Sequence, residues 1–379
     1  LATGTRTPLC IANRRRETAP TYNKEKSMNQ SSISNPQSAI IKVLVVDDSS
    51  FMRKSLTYIL ESDLSIKVIG VAEDGVEAIQ KVKELHPDVV LLDIMMPKMD
   101  GFMALQHIMH ESPTPILMVS ALMRKDQSIA IKSLEYGAID FIAKPSGQIS
   151  YDIDKIRDEI IAKVKTVAKV DVKKLVLPSF DKIIQKKCIQ KIQKRIVVIG
   201  ASTGGPRAVV TVLSALPRNI PAAILVVQHI VPEFVPSFAD RLRWESVLEV
   251  TVAEEGETLD PGRVLVAPSR HTKIVKDGGQ KRISIDDRCL YDFNAYAVDY
   301  AMESAAGAYG DEALGVLLTG MGSDGAKGMK GIKNSGGSTI AEDPSTCIVF
   351  GMPRAAIELG CVDRVVPLPE IAQAIMEMI

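Results

Sequence analysis

Short runs of branched apolar residues recur along the chain, at 41–46, 89–92, 115–119, 140–143, 196–199, 222–227 and 314–318, and each stops abruptly in a polar or glycine-rich turn. Such runs, largely without polar alternation, suit strands buried on both faces. Helical patterns such as 51–60 and 75–85 lie between them. A βα-repeating order of this kind predicts parallel sheets with helices packed on them. It also says where chemistry can sit, because open α/β sheets gather ligands beyond the carboxyl ends of their strands.

In the second half, the run 196–199 leads into Gly200-Ala201-Ser202-Thr203-Gly204-Gly205-Pro206. The glycines permit a sharp strand-to-helix turn, and Pro206 is tolerated in the first turn of a helix. A serine on that turn stands exposed beside free helix N-terminal amides, which can stabilise an oxyanion. The run 222–227 ends in Gln228-His229, and 314–318 ends in Thr319-Gly320-Met321-Gly322-Ser323-Asp324-Gly325. A serine nucleophile needs a base, and the base needs a carboxylate to fix its tautomer. Ser202, His229 and Asp324 supply those three groups from three strand ends. A helix-capping serine, a structural histidine and a turn aspartate are the bland readings of each taken singly. The turn is no P-loop, because Pro206-Arg207 stands where Lys-Ser/Thr is required. The order Ser, His, Asp also differs from that of an α/β-hydrolase.

These segments, with Val349-Phe350-Gly351-Met352-Pro353-Arg354, resemble the protein-glutamate methylesterase family of bacterial chemotaxis from about residue 195 onward. The resemblance implies a catalytic triad of Ser202, His229 and Asp324, with backbone amides of Thr203 and Met321 binding the oxyanion. It further implies demethylation of glutamate methyl esters and deamidation of glutamines on the helical cytoplasmic part of chemoreceptors, with no cofactor for the ester chemistry. The family usually carries Arg-Pro-Ser before a Val-Asp pair, whereas this chain has Ala295-Tyr296-Ala297 before Val298-Asp299. That departure touches no triad member and bears on the shape of the substrate groove.

In the first half, acidic residues follow the runs 41–46 (Asp47-Asp48) and 89–92 (Asp93), while Ser120 follows 115–119 and Lys144-Pro145 follows 140–143. Carboxylates converging on one sheet edge favour a hard divalent cation such as Mg²⁺. A lysine and a hydroxyl opposite can hold the oxygens of a phosphoryl group. The pattern resembles a response-regulator receiver domain over about 41–168. By that resemblance Asp93 accepts phosphate from a histidine kinase, and Asp47, Asp48 and Asp93 hold Mg²⁺ with the carbonyl of Met95. Ser120 and Lys144 read the phosphoryl group, and Phe141 is the aromatic switch.

The fold expected is therefore α/β throughout: a receiver-type (flavodoxin-like) parallel sheet at 40–168, then a doubly wound, Rossmann-like esterase domain at 195–379. Residues 169–194, lysine-rich and containing Pro178, read as an exposed linker after an amphipathic helix at 151–170. Residues 1–39 are polar and irregular and read as a disordered extension, with Met28 a sensible start. Lys+Arg 46 against Asp+Glu 46 removes a global electrostatic case for nucleic acid, and 4% aromatics leave little for base stacking. No apolar run is long enough for membrane insertion. Five cysteines without C-x-x-C spacing argue against a disulfide framework or zinc and suit a cytoplasmic location. His107 and His110 lack the carboxylate motif that would make them metal ligands. Two other classes fit the same residues: a general carboxylesterase, marked by turnover of small free esters, and a non-catalytic response-regulator adaptor, marked by a broken triad. No helix-turn-helix pattern follows the linker to support a DNA-binding output.

Overall fold

The computed structural model describes residues 40–120, 124–144, 153–172, 195–268, 271–286 and 297–379. The expected extension at 1–39, the linker from 173 to 194 and the Ala295-Tyr296 departure lie outside the described residues, as does the Ser120 side chain.

The first half alternates strand and helix as its pattern demands: β1 (Ile41–Val46), α1 (Ser50–Glu61), β2 (Ile66–Ala72), α2 (Gly75–Leu85), β3 (Val89–Asp93), α3 (Gly101–Glu111), β4 (Ile116–Ser120), α4 (Arg124–Ser133), β5 (Asp140–Ala143) and α5 (Ile153–Val167). The helices start where side chains can cap them. Asp74 accepts from Glu77 N at 2.9 Å and Asp100 from Met103 N at 2.8 Å, satisfying amides that have no partner inside the helix. The strands form one parallel sheet in the order β2-β1-β3-β4-β5. The order reverses between β1 and β3, so their carboxyl ends flank the crevice of this sheet.

The second half continues with β6 (Arg195–Ala201), α6 (Gly205–Ala215), β7 (Ala222–Gln228), α7 (Val235–Glu245), β8 (Glu249–Val252), β9 (Arg263–Val266), β10 (His271–Asp277), β11 (Gln280–Asp286), α8 (Ala297–Tyr309), β12 (Ala313–Leu317), α9 (Ala326–Asn334), β13 (Ser338–Glu342), α10 (Met352–Glu358), β14 (Arg364–Val366) and α11 (Ile371–Met378). Seven of these strands make a parallel sheet ordered β14-β13-β12-β6-β7-β9-β8. Alternate residues of β6 enter separate apolar clusters: Val197 and Ile199 join α6 and α11 on one face, while Ile196 and Val198 join α8 and α9 on the other. Both faces are covered, which is why these strands carry no polar alternation. Strands β10 and β11 stand apart as an antiparallel hairpin. Its turn uses Gly278 (φ 54°) and Gly279 (φ 82°), the left-handed pair that matches the twist of a tight hairpin.

Ala39–Ile379 form one compact unit, and a continuous apolar cluster runs from the first sheet into the second. Phe141 of β5 stacks on Phe234, which ends a 3₁₀ turn before α7, with ring centroids 4.5 Å apart and planes at 23°. Arg241 of α7 also forms an ion pair with Glu135, which follows α4. Farther along, the Thr166 hydroxyl of α5, which donates to Ala162 O at 2.8 Å, lies 3.0 Å from Met321 Sδ. Ile348 of the second half packs against the core around β1 and α5.

Candidate active site

Strand β6 ends at Ala201 and β7 at Gln228; these two residues are paired, and His229 N donates to Ala201 O at 3.0 Å. Ser202 and His229 therefore leave neighbouring strands side by side. Strand β12 lies against the other edge of β6, pairing Leu317 with Gly200, and the loop after it carries Asp324. The chain builds outward from β6 through β7 in one direction and returns to the other side with β12. All three residues thus sit at the topological switch point, beyond the carboxyl ends of three adjacent strands.

His229 Nε2 lies 2.7 Å from Asp324 Oδ2, which leaves Nδ1 as the ring nitrogen for a second partner. Asp324 also accepts from the amides of Val298 (2.9 Å), Asp299 (2.8 Å) and Gly325 (2.8 Å). Burial works to raise the Asp324 carboxyl, but the His229 bond and charge together with these amides hold it below its ordinary range. The carboxylate is thus fixed in its ionised form, as an orienting group for an imidazole should be.

The turn at Ser202 has the geometry its glycines suggest. Gly204 has φ 78°, and Pro206 occupies the first turn of α6. A side chain at Gly205 would meet Gln228 Oε1 at 2.2 Å, so the glycine lets Gln228 pass beneath the turn. There Gln228 Nε2 donates to Ser202 O (2.9 Å) and His229 O (3.0 Å), tying the two loops together. The expected exposure of the serine is not found, since Ser202 is only 8% accessible. Gly320 lies close against its Cβ, and Ile348 closes over Gly204.

Thr319 joins this turn to the third loop. Its carbonyl accepts from Ser202 N (3.0 Å) and its hydroxyl lies 3.0 Å from Thr203 O. Its own amide donates to the fully buried Glu342 at 2.7 Å. Asp299, also buried, accepts from Gly328 N at 2.7 Å; burial, opposed by that amide and reinforced by the charge of Asp324, raises it to about 6. Nothing in the sequence pattern marks a role for Gln228, Thr319, Glu342 or Asp299. Gln228 and Glu342 end strands, Thr319 follows β12 and Asp299 lies in the first turn of α8, and only the packing of distant elements gives each its partner.

At the first sheet edge, Lys144 Nζ lies 2.9 Å from Asp47 Oδ2 and 2.8 Å from Asp93 Oδ2. Burial, opposed by Lys144 and supported by the Asp47 charge, raises Asp93 to about 6. Asp47, Asp48 and Asp93 bring carboxylate oxygens within 4.8 Å of one another, an all-oxygen donor set that fits a hard divalent ion. Ser120 pairs with Ala143 in the adjacent strand, and Met95 follows β3 by two residues. His107 turns instead to Glu111, with 3.1 Å between Nδ1 and Oε1. Among the described residues no helix is long and apolar enough to cross a membrane.

A sheet with this acidic, lysine-bridged edge, followed by a second sheet with a strand-end serine, histidine and aspartate, defines a class: a response regulator whose output domain is a hydrolase. Comparison with known proteins makes this particular. A family model described as response regulator receiver domain matches residues 43–152, and one described as CheB methylesterase matches residues 197–375. A protein-glutamate methylesterase/protein-glutamine glutaminase of Pyrococcus abyssi is 45% identical over 346 residues, 89% of this chain and 94% of that one. One of Thermotoga maritima is 42% identical over 343 residues, 90% and 99%. The crystal structure of the Thermotoga maritima CheB methylesterase catalytic domain is 43% identical (TM-score 0.47) and covers 49% of this chain and 100% of that chain. The structure of the response regulator domain of Thermotoga maritima CheB is 45% identical (TM-score 0.33), covering 35% and 98%. This chain belongs to the protein-glutamate methylesterase/protein-glutamine glutaminase family.

Proposed function

We propose that this chain is a phosphorylation-gated serine hydrolase that demethylates glutamate methyl esters, and deamidates glutamines, on the helical cytoplasmic region of chemoreceptors. The observation that carries the reading is the 2.7 Å His229–Asp324 contact beside Ser202 at the switch point of the sheet. Ser202 Oγ attacks the side-chain carbonyl carbon while His229 takes its proton. As the tetrahedral intermediate collapses, the C–O bond of the methyl ester breaks and methanol departs with that proton; with glutamine the C–N bond breaks instead and ammonia departs with it. Water then attacks the acyl-enzyme by the same route and releases glutamate. Asp324 fixes the tautomer of His229 and stabilises its charged form.

The oxyanion is assigned to the amides of Thr203 and Met321. The neighbouring amides of Ser202 and Gly320 are already given to Thr319 O and Val349 O, at 3.0 Å each. This supports the choice by leaving the flanking pair to face a substrate.

On the receiver side, Asp93 takes the phosphoryl group from a histidine kinase, its carboxylate oxygen displacing the donor from phosphorus. Asp47, Asp48 and Asp93, with the Met95 carbonyl, would hold Mg²⁺, which neutralises charge on the phosphoryl oxygens. Lys144, now shared by Asp47 and Asp93, turns to the new phosphoryl oxygens, and Ser120 joins it. Phe141 then leaves its present position. Since Phe141 stacks on Phe234 and Thr166 touches Met321, this rearrangement loosens the contact between the halves and opens the serine to substrate.

The test incubates the full chain with methylated receptor fragment, Mg²⁺ and a small phosphodonor, and measures methanol. Wild type should release methanol faster with the phosphodonor. Folded Ser202→Ala should lose about 10⁴-fold or more in rate. Near-normal release by Ser202→Ala would overturn the nucleophile, and equal turnover of simple free esters would favour a general carboxylesterase.

A further inference from the structure

Glu342 is a carboxyl in the wrong place for a protein that only needed to fold. It ends β13, a strand hydrogen-bonded on both sides, by β12 and β14, and it is fully buried. Oε2 accepts from Thr319 N at 2.7 Å, Oε1 makes no hydrogen bond of normal geometry, and the side chains of Thr346 and Cys347 lie beside the carboxyl. A buried polar atom left short of partners destabilises a protein by about 1–3 kcal/mol. A leucine of similar size would avoid that penalty, so the carboxyl is explained by what it holds.

What it holds is the amide of Thr319, whose other two polar groups grip the nucleophile turn. Thr319 O accepts from Ser202 N, and Thr319 Oγ1 lies 3.0 Å from Thr203 O. The same hydroxyl accepts from Val349 N at 2.9 Å. The next residue is gripped as well, since Gly320 O accepts from Gly351 N (3.1 Å) and Met352 N (2.9 Å). Thr319 is itself buried, so without Glu342 its N–H would be an orphan donor and the loop would shift to find an acceptor. Any such shift is passed directly to Ser202 and Thr203 through the two bonds just named.

We infer that Glu342 is a positioning residue for the hydrolysis: through Thr319 it sets the placement of the Ser202 turn and of the oxyanion-binding amides of Thr203 and Met321. This rests on Ser202 being the nucleophile. The protonation state agrees with the role. Burial, partly opposed by the Thr319 amide and the side chains of Thr346 and Cys347, raises the carboxyl to about 7, so it is largely uncharged in mildly acidic solution and about half ionised at pH 7. In its neutral form it supplies an acceptor without adding a full negative charge behind the turn on which negative charge develops.

The experiment compares Glu342→Leu with Glu342→Gln in the full chain, with methylated receptor fragment, Mg²⁺ and phosphodonor, and with Ser202→Ala as control. Glu342→Leu keeps the volume and removes the acceptor. Its kcat should fall about 10- to 100-fold, the scale expected of a displacement of reacting groups by up to 1 Å, with KM within about twofold of wild type. Glu342→Gln restores an acceptor oxygen at the same place and should bring kcat back to within about threefold of wild type. Wild-type kcat in a folded Glu342→Leu overturns the inference. So does a loss of tenfold or more in folded Glu342→Gln, which keeps the question decidable even if the leucine variant does not fold. Retained activity in Ser202→Ala overturns instead the nucleophile on which the inference rests.

Discussion

Removing the Phe141 ring should activate the chain without a phosphodonor. Phe141 lies 4.5 Å from Phe234 and both rings are buried, so Phe141→Ala deletes an aromatic pair that spans the two halves. Such a pair contributes about 0.5–1.5 kcal/mol beyond its buried area. With the apolar surface lost on the Phe234 side, the docked arrangement should weaken by about 1–2 kcal/mol, a factor of about 5–30 in the ratio of docked to open forms. While the open form is the minority, the basal rate rises by that factor and levels off at the rate of the fragment 195–379. The assay is methanol release from methylated receptor fragment by wild type, Phe141→Ala and the fragment, with melting curves to show that the receiver remains folded. Phe234→Ala should activate similarly, and the double variant should gain less than the product of the singles, because both remove one contact. A folded Phe141→Ala that stays at the wild-type basal rate while the fragment is tenfold faster would show that the rings are not what holds the halves together. A fragment no faster than the whole chain would refute occlusion itself.

Three further outcomes follow from the geometry. Asp324→Asn should lower kcat by about 10⁴-fold with the fold intact, because an amide turned to donate favours the wrong tautomer of His229; pre-steady-state measurement of acylation checks this. Asp93→Asn should abolish Mg²⁺-dependent, phosphodonor-driven incorporation of phosphate and the accompanying activation, read by mass and by methanol release. Glu342 also makes stability depend on pH. Its folded pKa, about 7, lies above its ordinary value of 4.5. The native state therefore keeps a proton that the unfolded chain releases, and stability from this group falls as pH rises between those values and then levels off. Glu342→Gln removes that dependence, so its stability relative to wild type should improve from pH 4.5 to pH 7.5 by at most about 3 kcal/mol, at 1.36 kcal/mol per pH unit; denaturant midpoints at the two pH values measure it.

What the sequence disclosed and what it hid follow one physical rule. A strand buried on both faces leaves a local trace, an apolar run with a sharp end, and the residue at that end is placed by the run itself. Ser202, His229, Asp47 and Asp93 were legible in this way, and Asp324 follows its run by only a few residues. Glu342 follows Ser338-Thr339-Ile340-Ala341, in which half the residues are hydroxylic, so no apolar run marks its strand, and its burial comes from neighbouring elements that leave no trace at position 342. Gln228 likewise looked like the tail of β7 until Gly205 gave it room. Strands β8, β9 and β14 are too short to rise above the loop pattern, and the hairpin β10–β11 is partly solvated, so its alternation is diluted by charged residues. The Phe141–Phe234 stack and the Glu135–Arg241 pair join distant parts of the chain, which no periodicity records.

The contact between Thr166 and the Met321 side chain has a consequence for how such a chain can change. On the proposed assignment the chemistry uses only the backbone amide of Met321, while the receiver touches its side chain. A methionine is unbranched and adaptable, and its sulfur is a soft, weak acceptor. Replacing it with another flexible side chain alters the strength of the contact and leaves the N–H that meets the oxyanion in place. Leakiness in the resting state and turnover in the active state can therefore be tuned by substitutions at a single position, with one free to drift while the other is kept constant.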